Sequence, residues 1–295
     1  MRHVPCNLCG ADDFSVVIPQ DPARKIHRIV RCKRCRLMYA NPQEIVDCDT
    51  FMDTNAHLTF DPEGADKRYF VKQHVQMADY ERVVQALSGL TSSRGRLLEV
   101  GSYLGLLSDR LRKSGWDVTG MEPSRPMAEY ARSHYGLSII EGLLPRPELA
   151  EGTFDAVVML HVIEHMPDPG ESLKELRRLL RPGGLLVVET PRFDSLMFKL
   201  LGQRERSINN CPGHIYFFTV PTLRQVLEKA GFEVVRTDLV GRTLTVDRVL
   251  LNLGVVSRSK TVLRALLRTG EALKLDRWRV HLNLRDMQRI YCRAV

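Results

Sequence analysis

Residues 96–122 read RLLEVGSYLGLLSDRLRKSGWDVTGME, the pattern of strand, glycine turn, helix and second strand. Arg96–Val100 is a short apolar run that fits a buried strand. Gly101 and Gly105 bracket a tight turn, and Leu104, Leu107 and Leu111 recur at helical spacing. Asp117–Met121 is the next strand, closed by Glu122. In a doubly wound sheet, a carboxylate at a strand's carboxyl end can accept both hydroxyls of a ribose. The stretch therefore predicts a nucleoside-bearing cofactor. A dinucleotide site needs G-x-G-x-x-G so that backbone can press on a pyrophosphate, and a P-loop needs a Lys after its glycines. Here the turn is G-S-Y-L-G, with Tyr103 in place of a phosphate-facing glycine and no Lys behind it. Such a turn suits a cofactor without phosphate. An ordinary strand–turn–helix of some other α/β protein is the alternative at this point.

Downstream, Phe154-Asp155 opens AVVML, a central strand ending at His161. HVIEHMPDP follows, then a helix with Leu173, Leu176, Leu179 and Leu180 on its apolar side, punctuated by RPGG at Arg181–Gly184. Leu185–Thr190 is another buried strand, and GHIYFFTVPTLRQVLEKAGFEVV occupies 213–235. Glu99, Gly101 and Gly105 resemble the first motif of class I S-adenosylmethionine-dependent methyltransferases, E/D-x-G-x-G-x-G, from which Tyr103 departs. The later segments are similar, in order, to that family's later motifs and are ubiquinone-methyltransferase-like. The resemblance spans about 96 to 240, and ordered motifs are far more specific than one. It implies an α/β, Rossmann-like seven-stranded sheet and S-adenosylmethionine as cofactor. It places Gly101, Ser102, Tyr103 and Gly105 around the methionine portion and Glu122 on the ribose. Backbone near Leu143 and Leu160 would lie by the adenine and the methionyl end. Glu99, Pro123 and His161 complete the implied cofactor set.

Composition fits one α/β domain with a small module: 295 residues, 44% hydrophobic. The expected division is a four-cysteine module at 1–45, a helical linker or cofactor cover at 46–92, and the cofactor domain at 93–295. No stretch approaches the roughly 18 apolar residues of a membrane span, and MRHVPCNLCG lacks a secretory core. A cytoplasmic location is expected, with peripheral attachment at the inner membrane surface as its variant. Seven cysteines in such a chain argue against a disulfide framework.

Four of them pair as Cys6-x2-Cys9 and Cys32-x2-Cys35, 22 residues apart. Thiolates at that spacing make a closed tetrahedral zinc site, and a short segment needs the metal to fold. Disulfides are the alternative. An all-cysteine set leaves no position for water, so the zinc is expected to be structural. Phe14–Ile18 and His27–Arg31 would form a hairpin between the knuckles. Cys48, Cys211 and Cys292 read as small apolar residues or surface thiols. The module resembles the one that precedes the cofactor domain in sugar methyltransferases of glycan pathways. It is also similar to the knuckle of ribosomal RNA guanine methyltransferases, which keeps RNA as an acceptor class. Sugar C-methyltransferases carry a further domain that this chain is too short to hold, which counts against C-methylation.

Residues 61–90 read as a helix with Val75, Met77, Val83, Val84 and Leu87 on one side. In the resemblance such a helix covers the cofactor, and Tyr69, Tyr80 and Arg82 either face it or belong to core and solvent. HVIEH matches the inverzincin H-x-x-E-H, but it follows a strand and breaks at Met166-Pro167, which excludes one continuous helix. In ubiquinone-pathway O-methyltransferases the matching segment is associated with a divalent metal. Glu164 and His165 match while His161 replaces the first acid, which weakens an oxygen-ligand site. The favoured reading has Glu164 and His165 tying the loop and His161 lining the cofactor pocket. His161 and His214 are the candidate general bases, with a hydrogen-bonded structural role as the alternative for each. Tyr216, Phe217 and Phe218 offer an aromatic wall or core.

Residues 241–295 hold 12 Lys/Arg against 4 Asp/Glu, while 1–240 are balanced at 31 each. All of the +8 net charge therefore lies in the last segment. RIYCRAV resembles the fold's last strand, so 241–285 reads as a basic helical insertion before it, longer than ordinary connections. Lys260, Arg264 and Arg268 share one helix face, opposite Val262, Leu263, Leu266 and Leu267. That pattern suits an anionic membrane surface, RNA phosphates, or a lid packed on the domain. The reading as a whole is a zinc-bearing class I methyltransferase for a small-molecule or lipid-linked sugar acceptor. Nucleic acid is the second partner class, and a non-catalytic cofactor-binding or partner-binding protein the third hypothesis.

Overall fold

The computed structural model describes residues 2–21, 27–43, 67–91, 94–202, 208, 213–257 and 259–295. The stretch 96–122 folds as its pattern dictates. Leu97 and Leu98 are fully buried and Val100 nearly so, which makes β4 (Arg96–Val100) a strand covered on both faces. Helix α2 (Leu106–Lys113) then turns Leu107 and Leu111 inward, and β5 (Asp117–Glu122) returns parallel to β4. The turn is possible because Gly101 and Gly105 sit at φ +76° and +80°, a region that costs most side chains about 1–2 kcal/mol. A Cβ on Gly105 would also lie 2.6 Å from Leu137 and 2.9 Å from Ala131.

Helix α3 (Arg125–Tyr135) leads to β6 (Ser138–Glu141), and β7 (Phe154–Leu160) crosses back to the other side of β4. Asp168 caps α4 (Pro169–Leu179) by accepting from Glu171 N, with Pro169 and its fixed φ in the first turn. Strand β8 (Leu180–Pro191) follows, with Leu185–Thr190 buried as the sequence predicts. Helix α5 (Leu196–Leu201) precedes a two-residue strand, β9 (Tyr216–Phe217). Thr219 forms a capping box with Thr222 at α6 (Val220–Lys229), which leads into β10 (Phe232–Thr245). The chain closes on β11 (Arg279–Ala294).

The seven-stranded sheet runs β6-β5-β4-β7-β8-β11-β10. Its first five strands are parallel, and β11 is antiparallel to both neighbours. Strand order reverses at β4/β7, so the ligand crevice of such a sheet lies at the carboxyl ends of these strands. Val100 pairs with Met159, and Leu160 with Glu189. The register thus lines up the Gly101 turn, His161 and Thr190 along one edge.

The N-terminal segment builds a second sheet from β1 (Phe14–Ile18), β2 (Ile29–Cys32) and β3 (Met38–Ala40). The expected hairpin between the knuckles is present as β1 and β2. No local pattern marks the fourth strand: β9 pairs antiparallel with β3, Tyr39 opposite Tyr216. Lys229 donates to Leu8 O and Asn7 to Asp168, so the module is docked along both α6 and α4. Cys6, Leu8, Cys32 and Tyr39 share one hydrophobic cluster with Phe218, Leu223 and Phe232.

Helix α1 (Lys67–Leu90) lies within the predicted linker; the predicted start at Asp61-Pro62 and the side chains of Tyr69 and Val75 lie outside the described residues. Val83, Val84 and Leu87 pack against Leu107, Leu111 and Tyr291, with Tyr80 beside them. Tyr80 is therefore core packing. Arg82 donates to Thr243 and meets the His281 ring at 3.0 Å, which braces the β10–β11 ribbon. The insertion is shorter than its charge run implied. β10 and β11 stay paired to Thr245–Arg279, and α7 (Val246–Ser257) and α8 (Lys260–Ala272) fill the gap. Among the described residues, no helix is long and apolar enough to cross a membrane.

Candidate functional site

Four segments meet at the carboxyl edge of the sheet. After β4, Gly101 abuts Val162 so closely that an added Cβ would collide with its side chain. After β5, the Glu122 carboxylate accepts Tyr103 N at 2.7 Å and Ser124 N at 2.9 Å. Each oxygen thereby keeps a lone pair for another donor. After β6, Gly142 N donates to Glu122 O at 3.1 Å, which brings the exposed Leu143 alongside. Burial pushes the Glu122 carboxyl up to about 7, offset in part by the Ser124 amide.

Tyr103 sits at φ +52°, so the residue that departs from the glycine pattern adopts the glycine conformation. Its amide makes the hydrogen bond to Glu122. Ser102 is buried and Pro123 half-buried at the same edge. Glu99 points elsewhere: its carboxylate accepts the Ser108 hydroxyl of α2. Burial pushes Glu99 up to about 8, with the Ser108 hydrogen bond opposing. Its place is between strand and helix.

After β7 and β8 lies a cluster of ionisable side chains. His161 sits at φ +58°, and its side chain is 44% exposed beside the half-buried Leu160. Its Nδ1 faces Glu164 Oε1 at 3.7 Å and its Nε2 faces Glu189 Oε1 at 3.4 Å. Burial would lower its pKa, but the two carboxylates win and raise it to about 9. Glu164 and Glu189 are both held at about 2: burial would raise them, but their contacts with His161, and that of Glu189 with Arg289, outweigh it. Thr190 donates to Glu164 Oε2 at 2.8 Å, and Arg289 of β11 donates to Glu189 at 2.6 Å.

The loop before β9 completes the cluster. His214, 8% exposed, brings Nε2 to 3.9 Å from Glu164 Oε1, and its ring meets His165 edge-on at 4.6 Å between centroids. His165 Nδ1 lies 2.8 Å from Gly213 O, and Ile215 N donates to Glu164 O. Glu164 and His165 thus tie the loop, and their side chains with that of His214 also form a group that could hold a metal ion. Tyr216, Phe217 and Phe218 are buried core and form no open aromatic wall. Sequence reasoning missed Glu189, Thr190 and Arg289. A glutamate ending the apolar run LLVV was a legible signal for the first two, whereas Arg289 has no local signature.

A second cluster lies in the N-terminal module. Cys6, Cys9, Cys32 and Cys35 bring their sulfurs within 4.8 Å of one another, with Cys6–Cys35 at 3.3 Å and Cys9–Cys32 at 3.5 Å. Zn–S bonds of about 2.3 Å in a tetrahedron place sulfurs roughly 3.8 Å apart, so the set fits a zinc ion. Gly10 N to Cys6 O and Arg36 N to Cys32 O close the two knuckle turns. Cys292 is buried, its thiol pushed up to about 12, while Cys48 and Cys211 lie outside the described residues.

Comparison with known proteins agrees with this geometry. The ubiquinone biosynthesis O-methyltransferase of Alkalilimnicola ehrlichii is 33% identical over 158 residues, covering 51% of this chain and 62% of that protein. A probable S-adenosylmethionine-dependent methyltransferase of Mycolicibacterium smegmatis is 30% identical over 59% of this chain and 63% of its own. The tRNA U34 carboxymethyltransferase of Syntrophotalea carbinolica is 34% identical over 48% and 45%. The chain thus spans less than two thirds of the length of these curated relatives. Among solved structures, an S-adenosylmethionine-dependent methyltransferase of Thermotoga maritima superposes with TM-score 0.52 at 22% identity, covering 78% of this chain and 94% of that one. That likeness is one of fold. The model of the methyltransferase-domain family matches residues 71–237, the span that carries the glycine turn, Glu122 and the histidine–glutamate cluster, and the chain belongs to that family.

Proposed function

We propose that this protein is an S-adenosylmethionine-dependent methyltransferase acting on a hydroxyl of a sugar or related small molecule. The observation that carries the reading is the approach of His214 Nε2 to 3.9 Å from Glu164 Oε1, in a cluster whose neighbouring residue Val162 meets the glycine turn. When bound, the cofactor supplies an electrophilic sulfonium methyl. Gly101, Ser102, Tyr103 and Gly105 would hold its methionyl part, Glu122 its ribose, and the backbone at Leu143 its adenine.

A hydroxyl nucleophile gains from a base, whereas an amine needs little more than alignment. His161 is a poor base at neutral pH, because two carboxylates hold it protonated. It is better suited to fixing Glu164 and Glu189 in place. His214 would take the acceptor's proton as the new C–O bond forms and the methyl–sulfur bond breaks. The imidazolium so formed lies 3.9 Å from a carboxylate that stays ionised. A four-cysteine module ahead of the domain resembles that of sugar methyltransferases, which supports the acceptor class. The same four thiolates would hold a structural zinc. RNA is the second reading, supported by the basic C-terminal segment and by a tRNA-modifying relative.

The test is transfer of radiolabelled methyl by the full chain, with nucleotide-linked and lipid-linked sugars, phenols and total RNA as separate acceptors. Label on a sugar hydroxyl, at least ~100-fold less with His214→Gln, is the expected result. Label in RNA alone, or none with cofactor bound, would overturn the acceptor class.

A further inference from the structure

The helical insertion bears no residue of the site, yet its tip is built with care. Val246 N donates to Trp278 O where the β10–β11 ribbon ends, and Arg82 and Asp79 of α1 hold the ribbon at Thr243. Helix α8 packs on α7 through Leu263, which lies where a Cβ on Gly254 would clash, and Gly270 approaches Asp247. The apolar set therefore divides. Leu263 and Leu266 are partly covered, whereas Val262 and Leu267 are 42% and 39% exposed. Beyond the helix, Leu273 is 62% and Trp278 68% exposed.

Single exposed aliphatic residues need no explanation. A leucine and a tryptophan flanking Lys274 and Arg277 within one short turn do. From 260 to 279 the chain carries six Lys/Arg against Glu271 and Asp276. Arg264, Arg268, Lys274 and Arg277 are exposed and form no ion pair with any described residue. A crevice of about 470 Å³ opens between α7 and α8, with Leu266 and Leu267 in its wall and Lys274 and Arg277 among its lining.

We propose that this tip docks on an anionic phospholipid bilayer, with Trp278 and Leu273 entering the headgroup boundary and the four cations meeting lipid phosphates. Exposed tryptophan and leucine beside Lys/Arg are the chemistry of interfacial binding. RNA would use the cations and the indole but gain nothing from Leu273, Val262 and Leu267. A second copy would bring like charge against like. The docking is independent of which hydroxyl is methylated.

The chain has two tryptophans, and Trp116 is 3% exposed, so Trp278 supplies the environment-sensitive fluorescence. The full chain is floated with vesicles of equimolar phosphatidylglycerol and phosphatidylcholine, and with pure phosphatidylcholine. Binding to the anionic vesicles alone is expected, with a blue shift that Trp278→Phe removes and release in molar salt. Each basic residue at such a surface contributes about fivefold. Arg264→Ser/Arg268→Ser/Arg277→Ser should therefore bind on the order of 100-fold more weakly. All these positions are exposed, and unchanged thermal melting confirms the variants fold. Absence from anionic vesicles, or equal flotation of the triple variant, overturns the proposal. So does retention by RNA, or a dimer broken by Trp278→Ala, where vesicles are ignored.

Discussion

Replacing Glu122 by Gln removes one acceptor from the proposed ribose position while keeping the side chain's shape. The carboxylate has about four lone-pair sites. Tyr103 N and Ser124 N occupy two of them, which leaves one on each oxygen for the two ribose hydroxyls. A hydrogen bond to a charged group contributes about 1.5–3 kcal/mol, so Gln should weaken S-adenosylmethionine by about 10- to 150-fold. Ala should cost more, because it also strands both amides. The wild-type affinity should itself depend on pH. With Glu122 near 7, the ionised fraction rises about tenfold between pH 6 and 8, and the apparent Kd should fall by that factor. Stability runs the opposite way. A carboxyl protonated in the fold but ionised when unfolded loses stability as pH rises from its ordinary 4.5 to about 7. Calorimetric titration at both pH values, for wild type and Glu122→Gln, measures all of this. Glu99 is the internal control, since it is buried against Ser108 and its Gln variant should bind cofactor normally. A wild-type Kd in Glu122→Gln, or a pH step that survives in it, would refute the ribose assignment.

Two further outcomes are expected. The purified chain should hold one equivalent of zinc, and Cys9→Ser should lower Tm by roughly 10 °C, since losing a structural metal costs several kcal/mol; metal-free protein of undiminished Tm would refute this. His161 should titrate near 9 by imidazole NMR and fall in Glu189→Gln. Its stabilising contribution is full below the ordinary 6.5 and lost as pH rises through about 9. The variant should flatten that loss while costing about 3–5 kcal/mol overall, because Arg289 is left buried without its carboxylate. An unchanged His161 titration would show that Glu189 does not hold it.

What the sequence revealed and what it hid differ in range. The glycine turn, the strand ends and the knuckles are local: Gly101 and Gly105 are needed by φ, and Leu107 and Leu111 by helical period. These signals sit within a few residues of one another and can be read from spacing. Arg289 meets Glu189 across 100 residues, and neither position advertises the other. The aromatic run Tyr216–Phe218 was ambiguous for a related reason. Only the pairing of β9 with β3 turns those rings into core. The charge run at 241–295 marked the insertion but not its edges, because Arg242 and Arg279 belong to the ribbon rather than the helices.

That pairing also changes what the cysteine module does. Ala40 N, at the end of β3, donates to Ile215 O, and Ile215 N donates to Glu164 O. Ile215 is thus clamped on one side by the module and on the other by the backbone carbonyl of Glu164, whose carboxylate faces the candidate base. His214 is the residue before it. Its position relative to Glu164 is fixed through β3, which follows directly from the Cys32–Cys35 knuckle. A metal that stiffens the knuckles would stiffen this path, because Cys32 N donates to Leu37 O just before β3. A zinc held by these thiolates would then support the proposed acceptor side more directly than the cofactor side. Glu122 and the glycine turn hang on β4 and β5, whose strand pairing is with each other, β6 and β7 and not with β3. Removing the metal should therefore lower methyl transfer more than it weakens cofactor binding, even at temperatures where the α/β domain remains folded.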